Sequence, residues 1–184
     1  MKVVCTYSHK DGLKHIRKTY ASELAEVYEV IQAVDASQAV TKISKEKTMP
    51  GQKLYSPIQL NKLFKAEFQK RGWHESKINV ETKVELPDKK ILPHKGFRAM
   101  DFVKNKLGVE VQFGKYAFMV YNVSAKMTIF HKQDIIDTGI EIVPMKSMAD
   151  RMSTGVSFFE QFKTDLEMRG VADIDIPVLI IGIA

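Results

Sequence analysis

Cysteine is almost absent from this chain of 184 residues, in which Cys5 is the only one. One thiol cannot form an intramolecular disulfide, and it cannot build a cysteine-rich zinc site. The five histidines show no close spacing of the kind that binds a metal. The sequence therefore argues against a disulfide framework and a zinc cluster, and it favours a reducing compartment.

Long apolar runs are absent as well. Residues 1–6 lack the apolar stretch of a signal peptide, and the most apolar run, residues 176–184, is about half the length of a membrane-spanning helix. Hydrophobic residues make up 45% of the chain and charged residues 27%, which are ordinary globular values. We therefore expect a single soluble, cytoplasmic domain over residues 1–184, without a membrane partner.

The formal charge of +6 is unevenly distributed along the chain. Residues 41–105 contain fifteen basic and seven acidic side chains, whereas residues 106–184 contain eight basic and ten acidic ones. This local excess predicts a polyanionic partner such as nucleic acid. A lysine-rich solvated face, common in proteins of high isoelectric point, is the alternative interpretation.

Apolar periodicity and capping residues predict four helices, over residues 20–34, 57–71, 118–131 and 157–169. Alternating or continuous apolar residues predict four strands, over residues 78–86, 109–113, 140–144 and 177–183. Residues 41–53 are typical of a mobile, Lys-rich loop, and Pro87 and Pro93 bracket a turn or loop. The fold of residues 77–98 otherwise stays open. Strands that alternate with helices indicate an α/β fold, a mixed β-sheet flanked by helices.

The candidate site lies on the predicted strand 109–113. Glu110 and Gln112 are two residues apart, so their side chains point to the same, polar face of the strand. Asp101 precedes a short turn, and in a hairpin it can return beside Glu110. Two carboxylates at a strand end form an oxygen-rich site for Mg²⁺, to which the backbone carbonyl of Val111 could add a ligand. An Asp and a Glu at this spacing also occur by chance, and a polar strand face is often simply solvated.

The sequence resembles the catalytic core of the PD…(D/E)xK nuclease superfamily, because Asp101 is followed, after a gap of eight residues, by Glu110-Val111-Gln112. Residues 109–118 resemble, more narrowly, the type II restriction endonucleases of the BstYI/BglII group, and most of all its BstYI branch. Similar blocks follow in the same order along the chain, namely residues 44–48, 54–57, 72–73, 139–142, 144–146 and 179–184. Met100 replaces the usual proline of the superfamily and Gln112 the usual lysine, although the BglII-like group also has glutamine there.

The resemblance implies a restriction-endonuclease-like core and the activity of a type II site-specific deoxyribonuclease. Enzymes of this kind use Mg²⁺ to hydrolyse one phosphodiester in each strand of double-stranded DNA at a palindrome with a central GATC, and they leave 5′ overhangs. The two-fold symmetry of such DNA implies a homodimer. Asp101 and Glu110 would hold the metal, and Gln112 would orient the attacking water. Glu75 is a candidate for a further acidic group, with a solvated glutamate after a helix as the alternative.

Five further residues are candidates for DNA contacts. Lys115 follows the catalytic strand closely enough to reach a guanine base edge, with a phosphate contact or plain solvation as the alternative. Ser153 and Thr154 lie in a loop that resembles the second recognition segment of the group, although they could also cap the next helix. Lys45 and Lys47, in the Lys-rich loop, would contact phosphates.

Two other functions remain open from the sequence. One is a basic DNA-binding protein without catalysis, for which the neutral Gln112 is the only hint. The other is a structure-specific or repair nuclease of the same superfamily. The products formed from DNA in the presence of Mg²⁺ would separate these hypotheses.

Overall fold

A six-stranded mixed sheet runs through the computed structural model, which describes residues 1–184. The chain forms eight strands: β1 (Val3–His9), β2 (Lys42–Ile43), β3 (Lys53–Leu54), β4 (His74–Glu85), β5 (Ile91–Lys104), β6 (Leu107–Val111), β7 (Thr138–Pro144) and β8 (Val178–Ile183). The order in the sheet is β1-β8-β7-β6-β5-β4, while β2 and β3 pair separately. This architecture confirms the predicted α/β fold with a mixed sheet.

Helices cover both faces of the sheet. They are α1 (Gly12–Thr19), α2 (Ala21–Ala33), α3 (Pro57–Lys70), α4 (Tyr116–Tyr121), α5 (Met127–Lys132), α6 (Lys146–Ala149) and α7 (Phe159–Arg169). A 3₁₀ turn (Ala36–Ala39) follows α2, and a π-helical turn (Asn122–Lys126) joins α4 to α5. None of the helices is both long and apolar enough to cross a membrane. The four predicted helices are confirmed with small shifts at their ends, whereas β1, α1 and α6 were not predicted.

The centre of the sheet is parallel and fully covered. β6, β7 and β8 are parallel neighbours, and all residues of β7 and β8 are buried. A continuous apolar run such as residues 178–183 is what a strand covered on both faces requires. The predicted βαβ order is therefore confirmed. Glu141, in the middle of β7, is the one charged residue in these two strands.

Two layers of apolar side chains hold the helices against the sheet. On one face, α2 and α3 contribute Leu24 and Phe64 to the core. On the other face, Met127 of α5 and Phe162 of α7 are buried. Gly139 of β7 allows α5 to approach closely, because a Cβ at that position would collide with the side chain of Met127. The close approach brings the π-helical turn next to β6 and β7.

A two-residue turn joins β5 to β6. Asn105 and Lys106 have φ angles of 48° and 67°, the left-handed conformation that a tight type I′ hairpin turn requires at both positions. The register pairs Phe102 with Val109, so Asp101 lies across the hairpin from Glu110. The predicted return of Asp101 beside Glu110 is therefore confirmed.

Residues 77–98 form most of a long hairpin between β4 and β5, whose outer part is exposed. The predicted strand 78–86 is confirmed within β4. The prediction that Pro93 closes the turn is wrong, because Pro93 lies inside β5 and pairs with Lys83. This part of β5 has a partner strand on only one side. Proline is tolerated at such an open edge, because no neighbouring strand there needs its missing N–H.

Residues 41–53 are more structured than the predicted loop. β2 and β3 pair as a short hairpin, and the backbone N–H of Ser44 donates to the carbonyl of Gln52 at 2.9 Å. Glu46 also bonds to residues more than a hundred positions away in the chain. A loop was predicted from local composition, which contains no information about such a distant partner.

Candidate active site

A β-bulge sets the direction of Asp101. Between Val103 and Met100, β5 takes three residue steps where β4 takes two. Bulges beside active sites commonly re-aim a side chain in this way. Asp101 turns toward β6, where its Oδ2 accepts a hydrogen bond from the backbone N–H of Val111 at 3.1 Å.

Glu110 is almost fully buried, with 3% of its surface exposed. Its face of β6 is polar, as predicted, but it is covered by the π-helical turn rather than solvated. Burial, followed by the charge of Asp101, raises the pKa of Glu110 to about 8. Asp101 has an exposed outer side, yet its carboxyl group lies in the cleft, where loss of hydration raises its pKa as well. Two adjacent carboxyl groups of this kind favour the binding of a cation.

The π-helical turn places the ammonium group of Lys126 next to Glu110. The Nζ atom of Lys126 lies 2.8 Å from Oε1 of Glu110, and the two side chains are 13% and 4% exposed. Asn122, on the same turn, donates from Nδ2 to Oε1 of Glu141 at 3.0 Å. π-helical turns are rare and frequently occur at functional sites. The turn thus supplies one amide and one ammonium group to the carboxylates of the sheet.

Glu141 is a third carboxyl group at this place. It pairs directly with Glu110 in the register of β6 and β7, and none of its surface is exposed. Burial and then the charge of Glu110 raise its pKa well above the ordinary value. Its Oε2 has no hydrogen-bond partner. A buried and incompletely paired carboxyl group lowers stability, and such groups cluster at functional sites.

Gln112 follows β6 and lines the same cleft. Its backbone N–H donates to the carbonyl of Ile142 at 2.9 Å, and its side-chain Oε1 accepts a hydrogen bond from the N–H of Gly114 at 3.0 Å. These bonds hold a neutral amide next to the two carboxyl groups.

The cleft consists of two neighbouring cavities beside the β5–β6 hairpin, at the carboxyl end of β6. The larger cavity has a volume of about 270 Å³ and is lined from three elements. The hairpin contributes Asp101, Glu110 and Gln112, the π-helical turn contributes Lys126, and α3 contributes Asn61. The smaller, of about 110 Å³, shares Asp101 and Asn61 and adds Lys65 and Glu75. The structure therefore brings together all four residues predicted to be catalytic.

Glu75 reaches the cleft from an unexpected element. It is the second residue of β4, not the end of a helix, and it forms an ion pair with Lys77 at 3.0 Å. Its charge adds to the forces that raise the pKa of Asp101, although burial of Asp101 is the larger cause. Its position agrees with the prediction of a further acidic group near the site.

The donor groups fit a hard divalent cation. No three His, Cys, Asp or Glu side chains, the neighbours Asp101, Glu110 and Glu141 included, are arranged so that they could hold one metal ion together. Mg²⁺ does not require one, because it commonly binds one or two carboxylates and keeps its remaining positions for water and substrate phosphates. Asp101 and Glu110 offer two carboxylates in one cleft, and Val111 lines both cavities.

The residues predicted to contact DNA form a second cluster. Lys115 is exposed and pairs through its backbone with Val156, which places it beside the loop that holds Ser153 and Thr154. The hydroxyl of Ser153 and the N–H of Thr154 both donate to Glu46, the latter at 2.8 Å. Neither residue caps α7, so the capping alternative is wrong.

Glu46 connects the two loops of this cluster. Its hydrogen bonds with Ser153 and Thr154 lower its pKa to about 2, which keeps it ionised. Lys45 and Lys47 stand on either side of it and are exposed. Both lysines are thus exposed next to a residue that bonds to the Ser153 loop.

The sheet order and the carboxylate-bearing hairpin define a restriction-endonuclease fold. The crystal structure of restriction endonuclease BglII complexed with a DNA 16-mer matches with a TM-score of 0.73 and 18% sequence identity, over 99% of this chain and 76% of that chain. No curated protein matches in sequence. The family model described as restriction endonuclease BglII/BglIII matches residues 4–183. The chain belongs to this family of type II restriction endonucleases, which are DNA-hydrolysing enzymes.

Several side chains at this place were not predicted from the sequence, among them Asn61, Asn122 and Lys126 of the cleft lining and the fully buried Glu141. Asn122 and Lys126 are four residues apart, which places them on one face of a helix, but this spacing is too common to indicate a site. Glu141 carried a usable signal, because it is a lone ionisable residue within an apolar strand.

Proposed function

We propose that this protein hydrolyses one phosphodiester in each strand of double-stranded DNA at a palindrome with a central GATC, with Mg²⁺ as its cofactor, leaving 5′ overhangs. The observation that carries the proposal is the meeting of Asp101 and Glu110 in one cleft with Gln112. The choice of GATC rests on the resemblance of residues 109–118 to the BstYI/BglII group. A single domain over residues 1–184 in the cytoplasm is part of the proposal.

Asp101 and Glu110, with the backbone carbonyl of Val111, would hold Mg²⁺. When bound, the ion lowers the pKa of a coordinated water and neutralises charge on the scissile phosphate. The N–H of Val111 already orients Asp101, so this carboxylate needs little rearrangement to bind a cation. Gln112 would orient the attacking water, since its amide can both donate and accept hydrogen bonds.

DNA would lie across the exposed cluster next to the cleft. Lys115 would read a base edge in the major groove, because an ammonium group donates well to guanine. Ser153 and Thr154 would contact the same site, in exchange for their bonds to Glu46. Lys45 and Lys47 would neutralise phosphates, which fixes the position of the protein on the duplex. A homodimer would place one cleft on each strand of the palindrome.

The test is incubation with plasmid DNA and Mg²⁺, followed by sequencing of the fragment ends. Discrete fragments that end at GATC-containing palindromes with 5′ overhangs support the proposal. A matched duplex with one base pair of GATC changed serves as the control and should remain intact. Binding without cleavage, across several divalent metals, would contradict the proposal and favour the non-catalytic DNA-binding protein. Cuts at junctions or flaps regardless of sequence would favour the structure-specific nuclease.

A further inference from the structure

The cleft contains a buried cation that the proposed roles leave unused. Among the side chains that line the cavity of about 270 Å³, only Lys126 carries a positive charge. Its ammonium group lies 2.8 Å from Oε1 of Glu110 and is largely shielded from solvent. Burying an ammonium group costs free energy, even when a carboxyl group lies beside it.

The hairpin residues that line this cavity provide no positive charge. Gln112 is neutral, and its side-chain oxygen is engaged with the N–H of Gly114. Hydrolysis of a phosphodiester builds up negative charge on the phosphate oxygens, and a fixed cation in a shielded cleft stabilises that charge strongly. Lys126 is therefore placed where such a cation would act.

We infer that Lys126 is a catalytic residue of DNA cleavage, whose ammonium group binds an oxygen of the scissile phosphate and supplies the positive charge that Gln112 lacks. This inference rests on the proposed function. In the protein alone, the contact with Oε1 of Glu110 holds the ammonium group at the site. A divalent cation bound by Glu110 would take over this oxygen and release the ammonium group. The flexible four-carbon stem then lets Nζ turn toward the phosphate.

The experiment compares Lys126→Met, which removes the charge but keeps the stem, with Lys126→Arg, which keeps the charge. Lys132→Met, on the exposed side of α5, is the matched control. Single-turnover cleavage of a duplex with the cognate site is measured at saturating Mg²⁺. We expect Lys126→Met to be slower by about 10²–10³, the effect of removing one transition-state donor. Lys126→Arg should retain more activity than Lys126→Met, and Lys132→Met should behave as the wild type.

A second variant tests whether the charge itself matters. Gln112 and Lys126 line the same cavity, so Gln112→Lys combined with Lys126→Met moves the ammonium group to the hairpin. We expect this double variant to cleave at least tenfold faster than Lys126→Met alone. Binding of Mn²⁺ in the absence of DNA can be measured by electron paramagnetic resonance. Lys126→Met should bind Mn²⁺ at least as tightly as the wild type, because no ammonium group competes for Glu110.

Two results would overturn the inference. One is a cleavage rate of Lys126→Met within threefold of the wild type. The other is a slow Lys126→Met whose rate returns to that of the wild type when Mg²⁺ is raised further, because Lys126 would then act only through metal binding at Glu110. Thermal melting checks folding, and Lys126→Gln replaces Lys126→Met in both comparisons if the methionine variant does not fold. If the wild-type protein itself cleaves no DNA, the proposed function is refuted. This outcome is distinct from failure of the inference about Lys126, which requires an active wild type.

Discussion

Replacement of Glu110 by Gln should abolish cleavage and at the same time stabilise the metal-free protein. Glu110 is buried beside Asp101, and these surroundings raise its pKa to about 8 from an ordinary value of 4.5. The folded protein therefore holds a proton on Glu110 at pH values where the unfolded chain has lost it. Stability is highest below pH 4.5 and falls as the pH rises toward 8. Gln resembles the protonated carboxyl group but has no proton to lose.

The magnitude follows from the difference between the two pKa values. Between them, stability falls by about 1.4 kcal/mol per pH unit, so the loss at pH 7 is about 3 kcal/mol. Glu110→Gln should avoid this loss. For a chain of 184 residues the gain corresponds to a rise in Tm of roughly 6–12 °C at pH 7. At pH 4.5 the two proteins should differ little.

The assay is urea unfolding at pH 4.5, 6, 7 and 8 in the presence of a chelator, for the wild type and Glu110→Gln. Glu81→Gln, at an exposed position of β4, is the matched control and should show no such gap. A gap between wild type and Glu110→Gln that is the same at every pH would refute the reasoning, because the stability difference would then not arise from titration of Glu110. Cleavage by Glu110→Gln would show that the carboxylate is not required for the metal.

Three further predictions concern the cleft and the DNA surface. Asp101→Asn should reduce cleavage below detection but leave metal-free DNA affinity, measured by fluorescence anisotropy, within about threefold of the wild type. Retained cleavage would show that the active site lies elsewhere. Lys115→Ala should change the preference at one base pair by about 1–3 kcal/mol in competition cleavage, whereas a uniform loss over all sequences would identify a phosphate contact. Lys45→Ala combined with Lys47→Ala should reduce the slope of log affinity against log salt by about two; an unchanged slope would exclude both lysines from the phosphates.

Local patterns were sufficient for much of the fold. The strand 178–183 was recognisable because a strand covered on both faces needs a continuous apolar run. β1 was missed, although it pairs with β8 along its length. Its residues alternate between half-buried and exposed, since it lies at the edge of the sheet, so no continuous apolar run marks it. Pro93 was misplaced because a proline indicates a break in a strand unless the strand has an open edge, and only the assembled sheet shows that edge.

The sequence by itself determined the pair of carboxylates. Asp101 and Glu110 lie on two strands that a two-residue turn joins, so their meeting is a local property of one hairpin. The tertiary structure alone decided what surrounds them. Lys126 and Glu141 come from a helical turn and from a parallel strand that lies beyond a crossover. Residue spacing does not encode such contacts, because they depend on how closely α5 packs on the sheet. That packing places a buried ammonium group beside a carboxylate that sequence reasoning had placed on a polar strand face.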